Sequence, residues 1–257
     1  HRGYVLRNAS MYDEALAAFN ELVAVAPTPL NCYQRVLTLT SARRFAEALD
    51  DCAELTAKRA ESIRVTCAIS HGDAEGYVAR QERLLEDLRS SRRQREAIDK
   101  AGNIVRWNAL LNGAVNADDL ARVRLDALQA SHLTALRDEY VARLFSDPAA
   151  TMADPDEFAW IDRIDRSRNI GDIGFRSAWA RIAMAMYTDD DADLARLAEE
   201  VCNRGHPRSR LWISVESVLD SMGYQITIPP TQWLEPYPVV QARWRGIFDA
   251  WLARVKG

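Results

Sequence analysis

Tyr12-Asp13-Glu14-Ala15-Leu16 returns, at an offset of 33 residues, as Phe45-Ala46-Glu47-Ala48-Leu49. An aromatic, an acid, an alanine and a leucine recur in the same order. A repeat of this period marks stacked helical hairpins, each unable to bury its apolar face alone. The chemistry of the stretch agrees. Ala15 and Ala48 are small enough for a partner helix to approach closely. Phe19 and Leu22 continue the stripe one turn further along the same helix. Pro27 cannot continue that helix and starts the turn.

The wider composition supports a helical reading. Of 257 residues, 48% are hydrophobic and 27% charged, enough apolar material for a sizeable core and too much for a disordered chain. Only 11 glycines and 9 prolines are present, which suits long helices and short turns better than an all-β fold. The formal charge of -4, from 33 basic and 37 acidic residues, gives no global field toward nucleic acid or an anionic membrane. No apolar run approaches the roughly 18 residues of a membrane span. The default compartment is the cytoplasm. His1 leads at once into what reads as a helix interior, Gly3-Tyr4-Val5-Leu6, so His1 is expected to be a boundary, with any targeting segment lying before it.

The first third resembles the tetratricopeptide repeat. Gly3 matches the glycine of that family's first helix, Tyr12 the aromatic, Ala15 the small residue, Phe19 the second aromatic and Pro27 the closing proline. The next unit runs from Leu30, with Tyr33, Phe45, Ala48 and Leu55. It departs where Val36 and Leu37 replace Leu-Gly, where Cys52 replaces the aromatic, and in lacking a closing proline. A more degenerate third unit covers Ser62 to Leu88, turning at His71-Gly72-Asp73. The resemblance covers residues 1–90 and implies an all-α helix-hairpin array. It also implies a concave face that holds a peptide or partner protein, lined by Tyr4, Arg7, Asn8, Asn31, Gln34, Arg35 and Thr38. The paired Lys and Asn that clamp a terminal carboxylate in some members are missing, so such a ligand is not implied.

Residues 91–257 continue as an irregular helical region, with a separate domain possible from about 150. Helical stripes run through Ile104, Trp107 and Leu111, then Leu120, Val123 and Leu128 after an N-cap at Asn116. Ser146 to Pro155 reads as a loop, and Asp154-Pro155-Asp156-Glu157 as a helix start. Further stripes are Trp179, Ile182 and Met186; Leu194, Leu197 and Val201; and Val240, Trp244, Phe248 and Trp251. Tyr224 to Ile228 is the one β-like run, too short to make a sheet alone.

Chemistry-bearing clusters each have a plainer reading. Asp189, Asp191, Asp193 and Glu200 take positions 1, 3, 5 and 12 of a calcium loop, but Leu194 stands where that loop requires glycine. The acids suit a helix N-terminus instead. Asp162, Asp165 and Asp172 sit among Arg163, Arg166 and Arg168, as surface ion pairs do. His71, His132 and His206 lack a nucleophile or carboxylate at mechanistic spacing and read as surface or capping residues. Cys32, Cys52, Cys67 and Cys202 read as small buried hydrophobes, with a Cys52–Cys67 disulfide as the alternative. Trp233, among prolines, either anchors its loop or meets a partner.

Three functional readings follow. The first is a protein-interaction module or scaffold, read as a regulatory arm of a larger protein, with no cofactor, no metal and no catalytic residue. The second is an enzyme with an unfamiliar site in residues 150–238, marked by Asp162, Asp165, Arg168 and His206. The third is a nucleic-acid-binding repeat using Arg89, Arg92, Arg93, Arg95, Lys100 and Arg106 beside Trp107, a stretch that reads more simply as a solvated helix face.

Overall fold

The computed structural model describes residues 1–74, 76–113, 115–167, 175–204 and 207–257, without the side chains of 161, 162, 164–167, 175 and 176. The fold is all-α. Its helices are α1 (Arg2–Asn8), α2 (Tyr12–Val25), α3 (Pro29–Ser41), α4 (Phe45–Asp50), α5 (Ala57–Ser70), α6 (Tyr77–Ser90), α7 (Gln94–Asn112) and α8 (Ala117–Gln129). They continue with α9 (Leu133–Ser146), α10 (Pro148–Met152), α11 (Pro155–Ser167), α12 (Phe175–Thr188), α13 (Asp191–Cys202), α14 (Ile213–Ser221) and α15 (Tyr237–Lys256). Among the described residues there is no strand; Arg44 and Gln232 form an isolated bridge, and Tyr224–Ile228 is irregular backbone.

The chain forms two compact units. The first is built from His1–Asp73 and Ala198–Trp244, the second from Ala74–Ser167, Arg176–Leu197 and Arg245–Gly257. Ser90 is the last residue of α6, and residues 91–93 turn the chain into α7.

One turn recurs in both units. In the first, Ser10 between α1 and α2 and Arg43 between α3 and α4 have φ of 60° and 63°. In the second, Arg92 between α6 and α7 and Ser131 between α8 and α9 have φ of 58° and 50°. The same paired bonds close each helix. The Ser10 and Met11 amides donate to the carbonyls of Arg7 and Leu6 at 3.0 and 2.9 Å; those of Arg43 and Arg44 donate to Thr40 and Leu39 at 3.2 and 2.9 Å. Left-handed backbone costs an L-residue roughly 1–2 kcal/mol. The bonds to otherwise orphaned helix-end carbonyls offset that cost. Just after each turn an alanine is buried: Ala15, Ala48 and Ala135 at 0% exposure, Ala97 at 8%.

Within the first unit Gly3 lets α1 lie on α2: a Cβ there would stand 2.8 Å from the Phe19 ring. Within the second unit α7 and α9 pack most extensively, and Gly102 makes the approach possible. A Cβ at Gly102 would come within 3.0 Å of the Ala135 Cα. The aromatic core of this unit joins Trp107, Phe145, Trp179, Phe248 and Trp251, ring on edge at 5.2 to 6.5 Å.

Local expectations fare unevenly. Asn116 and Asp154 cap α8 and α11, accepting the amides of Asp118 and Glu157 at 2.9 and 3.2 Å. The stretch expected as a loop after Ser146 contains α10, because Asp147 caps it at 3.0 Å and Pro148 presets its first turn. No disulfide forms: Cys32, Cys52 and Cys67 are buried free thiols, and Cys202 is exposed rather than buried. Burial pushes the Cys67 thiol up to about 12, leaving it inert.

Candidate functional site

The face inferred from the repeat resemblance has mixed fates in the first unit. Tyr4 is 36% exposed and meets Phe19 edge-on at 5.4 Å. The Arg7 guanidinium donates to Gln34 Oε1 at 3.0 Å, so α1 and α3 are neighbours and these two side chains already engage each other. Asn8 is exposed. The Asn31 amide is spent on the Ala26 carbonyl at 2.8 Å. Arg35 is held by Asp51 and Glu54, both at 3.0 Å. Thr38 is fully buried, its hydroxyl donating to the Gln34 carbonyl at 2.8 Å, and presents nothing to solvent. Around this face the surface is apolar: Val5, Met11, Leu22, Val25 and Leu30 are all exposed.

The second unit holds an open cleft of about 400 Å³ that the sequence reading did not locate. Three helices each contribute one stripe. From α6 come Glu82, Leu85 and Arg89; from α7 come Ala101, Ile104, Val105 and Asn108; from α8 come Asp119, Arg122, Val123 and Asp126. The spacings of three, four and seven residues are those of single helix faces. Ile104, Val105 and Val123 are buried in the floor, while Glu82, Arg89, Asp119 and Arg122 are exposed on the walls. None of these four charges, nor Asp126, forms an ion pair among the described residues. The stripes on α6 and α8 are visible in the sequence as isolated charges on helical spacing. Nothing there tells that they face each other across an apolar strip of α7.

The most buried charges are structural. Glu216 and Arg43 are each 1% exposed, bonded bidentately at 2.6 and 2.8 Å. Arg208 joins Glu216 at 2.9 Å. The remaining guanidinium donors go to main-chain carbonyls: Arg43 to Arg208 and Ser209, and Arg208 to Val201 and Thr227. This knot fastens the α3–α4 turn to the segment around Ser209 and to α14. The Arg208 guanidinium is therefore committed inside the unit. In the second unit Glu139 and Glu157 are bridged by Arg143 and Arg124. Burial raises Glu139, while hydrogen bonds from Arg143 and Arg124 hold Glu157 below its ordinary range against its own burial.

His71 differs from its expected surface role: it is 1% exposed. Its Nδ1 lies 2.7 Å from the Cys67 carbonyl, and its Nε2 accepts the Leu234 amide at 3.2 Å. Only the neutral ring with the proton on Nδ1 satisfies both contacts. Trp233 packs edge-on to it at 5.7 Å, so this tryptophan anchors its loop within the first unit. Burial lowers the His71 pKa, countered by the Cys67 hydrogen bond and the Glu235 charge, and aided by Arg243. With the folded value below the unfolded one, the stability His71 contributes is complete above about pH 6.5 and is lost as pH falls through the folded value. Urea titrations at pH 7.5 and 5 should show the wild type weaker at pH 5. His71→Gln, which can both donate and accept here, should lose less; an equal loss in both would assign the acid sensitivity elsewhere.

Arg106 of the basic stretch is 3% exposed beside Asp138, and Arg93 is paired with Glu96, so that stretch does not form one free basic face. The side chains of Asp162 and Asp165, with Arg168 and His206, lie outside the described residues, as do Asp172 and Arg166. Asp189 is engaged by Lys256 at 2.9 Å and Asp193 by Arg181 at 2.8 Å. Among the described residues no cluster has metal-binding geometry, and no helix is long and apolar enough to cross a membrane. No protein-family model, curated protein or solved structure matches the chain.

Proposed function

We propose that this chain is a protein-interaction module of the helical-hairpin type, which holds a segment of a partner polypeptide against the first helices of its hairpins. One observation carries the reading: the cleft between α6 and α8, whose apolar floor is ringed by five charged side chains with no ion-pair partner among the described residues. An open apolar strip with uncommitted charges around it has the composition of a recognition groove. The exposed apolar residues near Tyr4 offer a second contact area on the first unit. The tetratricopeptide-like stacking of residues 1–90, with Tyr4, Arg7, Asn8 and Arg35 on its face, belongs to this same proposal.

The test is a selection of random twelve-residue displayed peptides on the full chain. The proposal expects recovered peptides that lose at least tenfold in affinity when Asn108→Trp fills the cleft, while circular dichroism and urea midpoint stay near wild type. Peptides indifferent to Asn108→Trp, or no recovered peptide, would count against the cleft as the binding surface.

A further inference from the structure

The cleft belongs to the second unit; the first unit carries a device of its own. We infer that residues 231–236 form an acid-released latch: protonation of His71 frees this strap and bares Trp233, while the helices beneath stay folded.

Apart from the bridge at Gln232, the strap is irregular backbone, flanked by Pro229-Pro230 and by Pro236, whose fixed φ stiffens its ends. Among the described residues three anchors tie it to helices and their turns. At one end the Gln232 amide donates to the Arg43 carbonyl at 2.9 Å, and the Gln232 side chain bonds Glu47. At the other, Glu235 pairs with Arg243 at 2.7 Å. Between them the Leu234 amide donates to His71 Nε2 at 3.2 Å, with the Trp233 ring edge-on to the imidazole. His71 is sealed on its other sides. Phe45 of α4 packs on it at 4.8 Å, and its Nδ1 is held by the Cys67 carbonyl of α5. Gly72 beside it is pressed by α15, since a Cβ there would stand 2.9 Å from the Arg243 Cβ.

An imidazolium carries a proton on both nitrogens, so Nε2 turns from acceptor to donor and confronts the Leu234 N–H. The bond is lost, and a charge is left where it needs water or a counter-ion. The surrounding charges do not supply one. Arg44 and Glu47 of α4 are paired with each other, as are Glu235 of the strap and Arg243 of α15. Asp73, past the end of α5, is exposed and acts on Arg243, and Cys67 is held as a neutral thiol. Glu235 favours the cation and Arg243 opposes it, with burial the larger effect, so the neutral ring is preferred. Water therefore has to be admitted by movement. Phe45 and Cys67 belong to helices whose ladders would have to break, whereas the strap has few bonds to lose. The closed strap is favoured above about pH 6.5 and gives way as the pH falls through the lower value of the sealed ring.

The experiment follows amide hydrogen exchange on the intact chain from pH 7.5 to 5, each rate taken relative to the intrinsic rate at that pH. Protection of the Leu234 amide should fall severalfold below about pH 6.5, while the amides of Val36 and Leu39 in α3 keep theirs. His71→Gln, which can accept from Leu234 and donate to Cys67 without titrating, should hold Leu234 protected throughout. Should that variant not fold, the ring resonances of His71 in the wild type decide: they should titrate below about pH 6.5, and titration at or above that value would overturn the latch. Leu234 protection that ignores pH would overturn it as well. Parallel loss at Val36 and Leu39 would do the same, because the unit would then open as a whole.

Discussion

Glu216→Ala is expected to cost the first unit about 3–5 kcal/mol, the range for removing one partner of a buried ion pair. Glu216 is the sole carboxylate in contact with Arg43 and Arg208 among the described residues, and all three side chains are nearly sealed from water. The alanine leaves two guanidiniums buried with only carbonyl oxygens to face them. Each carbonyl bond survives, but no negative charge balances the pair, and the side chains must drag water inward or open the unit. Glu216→Gln, which preserves shape and hydrogen bonding to one oxygen, should lose less. Urea unfolding followed by circular dichroism, with limited proteolysis scoring cleavage in residues 1–73, measures the loss. A midpoint within about 1 kcal/mol of wild type for the alanine variant would mean that the knot is solvated in solution.

Trp251→Ala should weaken the second unit by about 3–5 kcal/mol, as large-to-small changes of a buried aromatic do. The ring is fully buried, edge-on to Phe145 at 5.4 Å and Phe248 at 6.5 Å. Its indole N–H donates to the Phe145 carbonyl at 2.9 Å. The substitution removes the ring contacts, leaves a cavity among aromatics, and strips a buried carbonyl of its donor. Trp251→Phe retains most of the burial and should lose markedly less. If alanine and phenylalanine variants unfold together near wild type, the C-terminal half of α15 does not close this core.

The contrast between these two sites shows what the chain discloses before it folds. Trp251 belongs to a helical stripe with Trp244 and Phe248, so its burial is written in its spacing. The knot is different: Arg43 and Glu216 are 173 residues apart, and neither stands out locally. Arg43 even reads as a surface base, because it sits in a turn that most chains would build with glycine. The same substitution of Ser or Arg for Gly hid the α6–α7 turn inside a run of arginines. Asp154 and Asn116, whose caps act within three residues, were legible at once. His71 was not, because the groups that hold it neutral, Leu234 and Trp233, come from a distant loop. The cleft follows the same logic. The residues named from the repeat pattern lie on one helix face each, but Thr38 is buried and Arg7 and Gln34 are spent on each other. The open groove lies one hairpin set further on, where the repeat signal fades and only the packing of α6 and α8 on α7 brings the charges together.

The most direct measurement is a methyl resonance map of the intact chain titrated with its tightest selected peptide. Leu85, Ile104, Val105 and Val123 should shift and saturate with the binding isotherm, while the neighbours of Phe145 and Trp251 in the core stay still. Saturating binding with those four methyl sets unmoved would place the ligand elsewhere and contradict it.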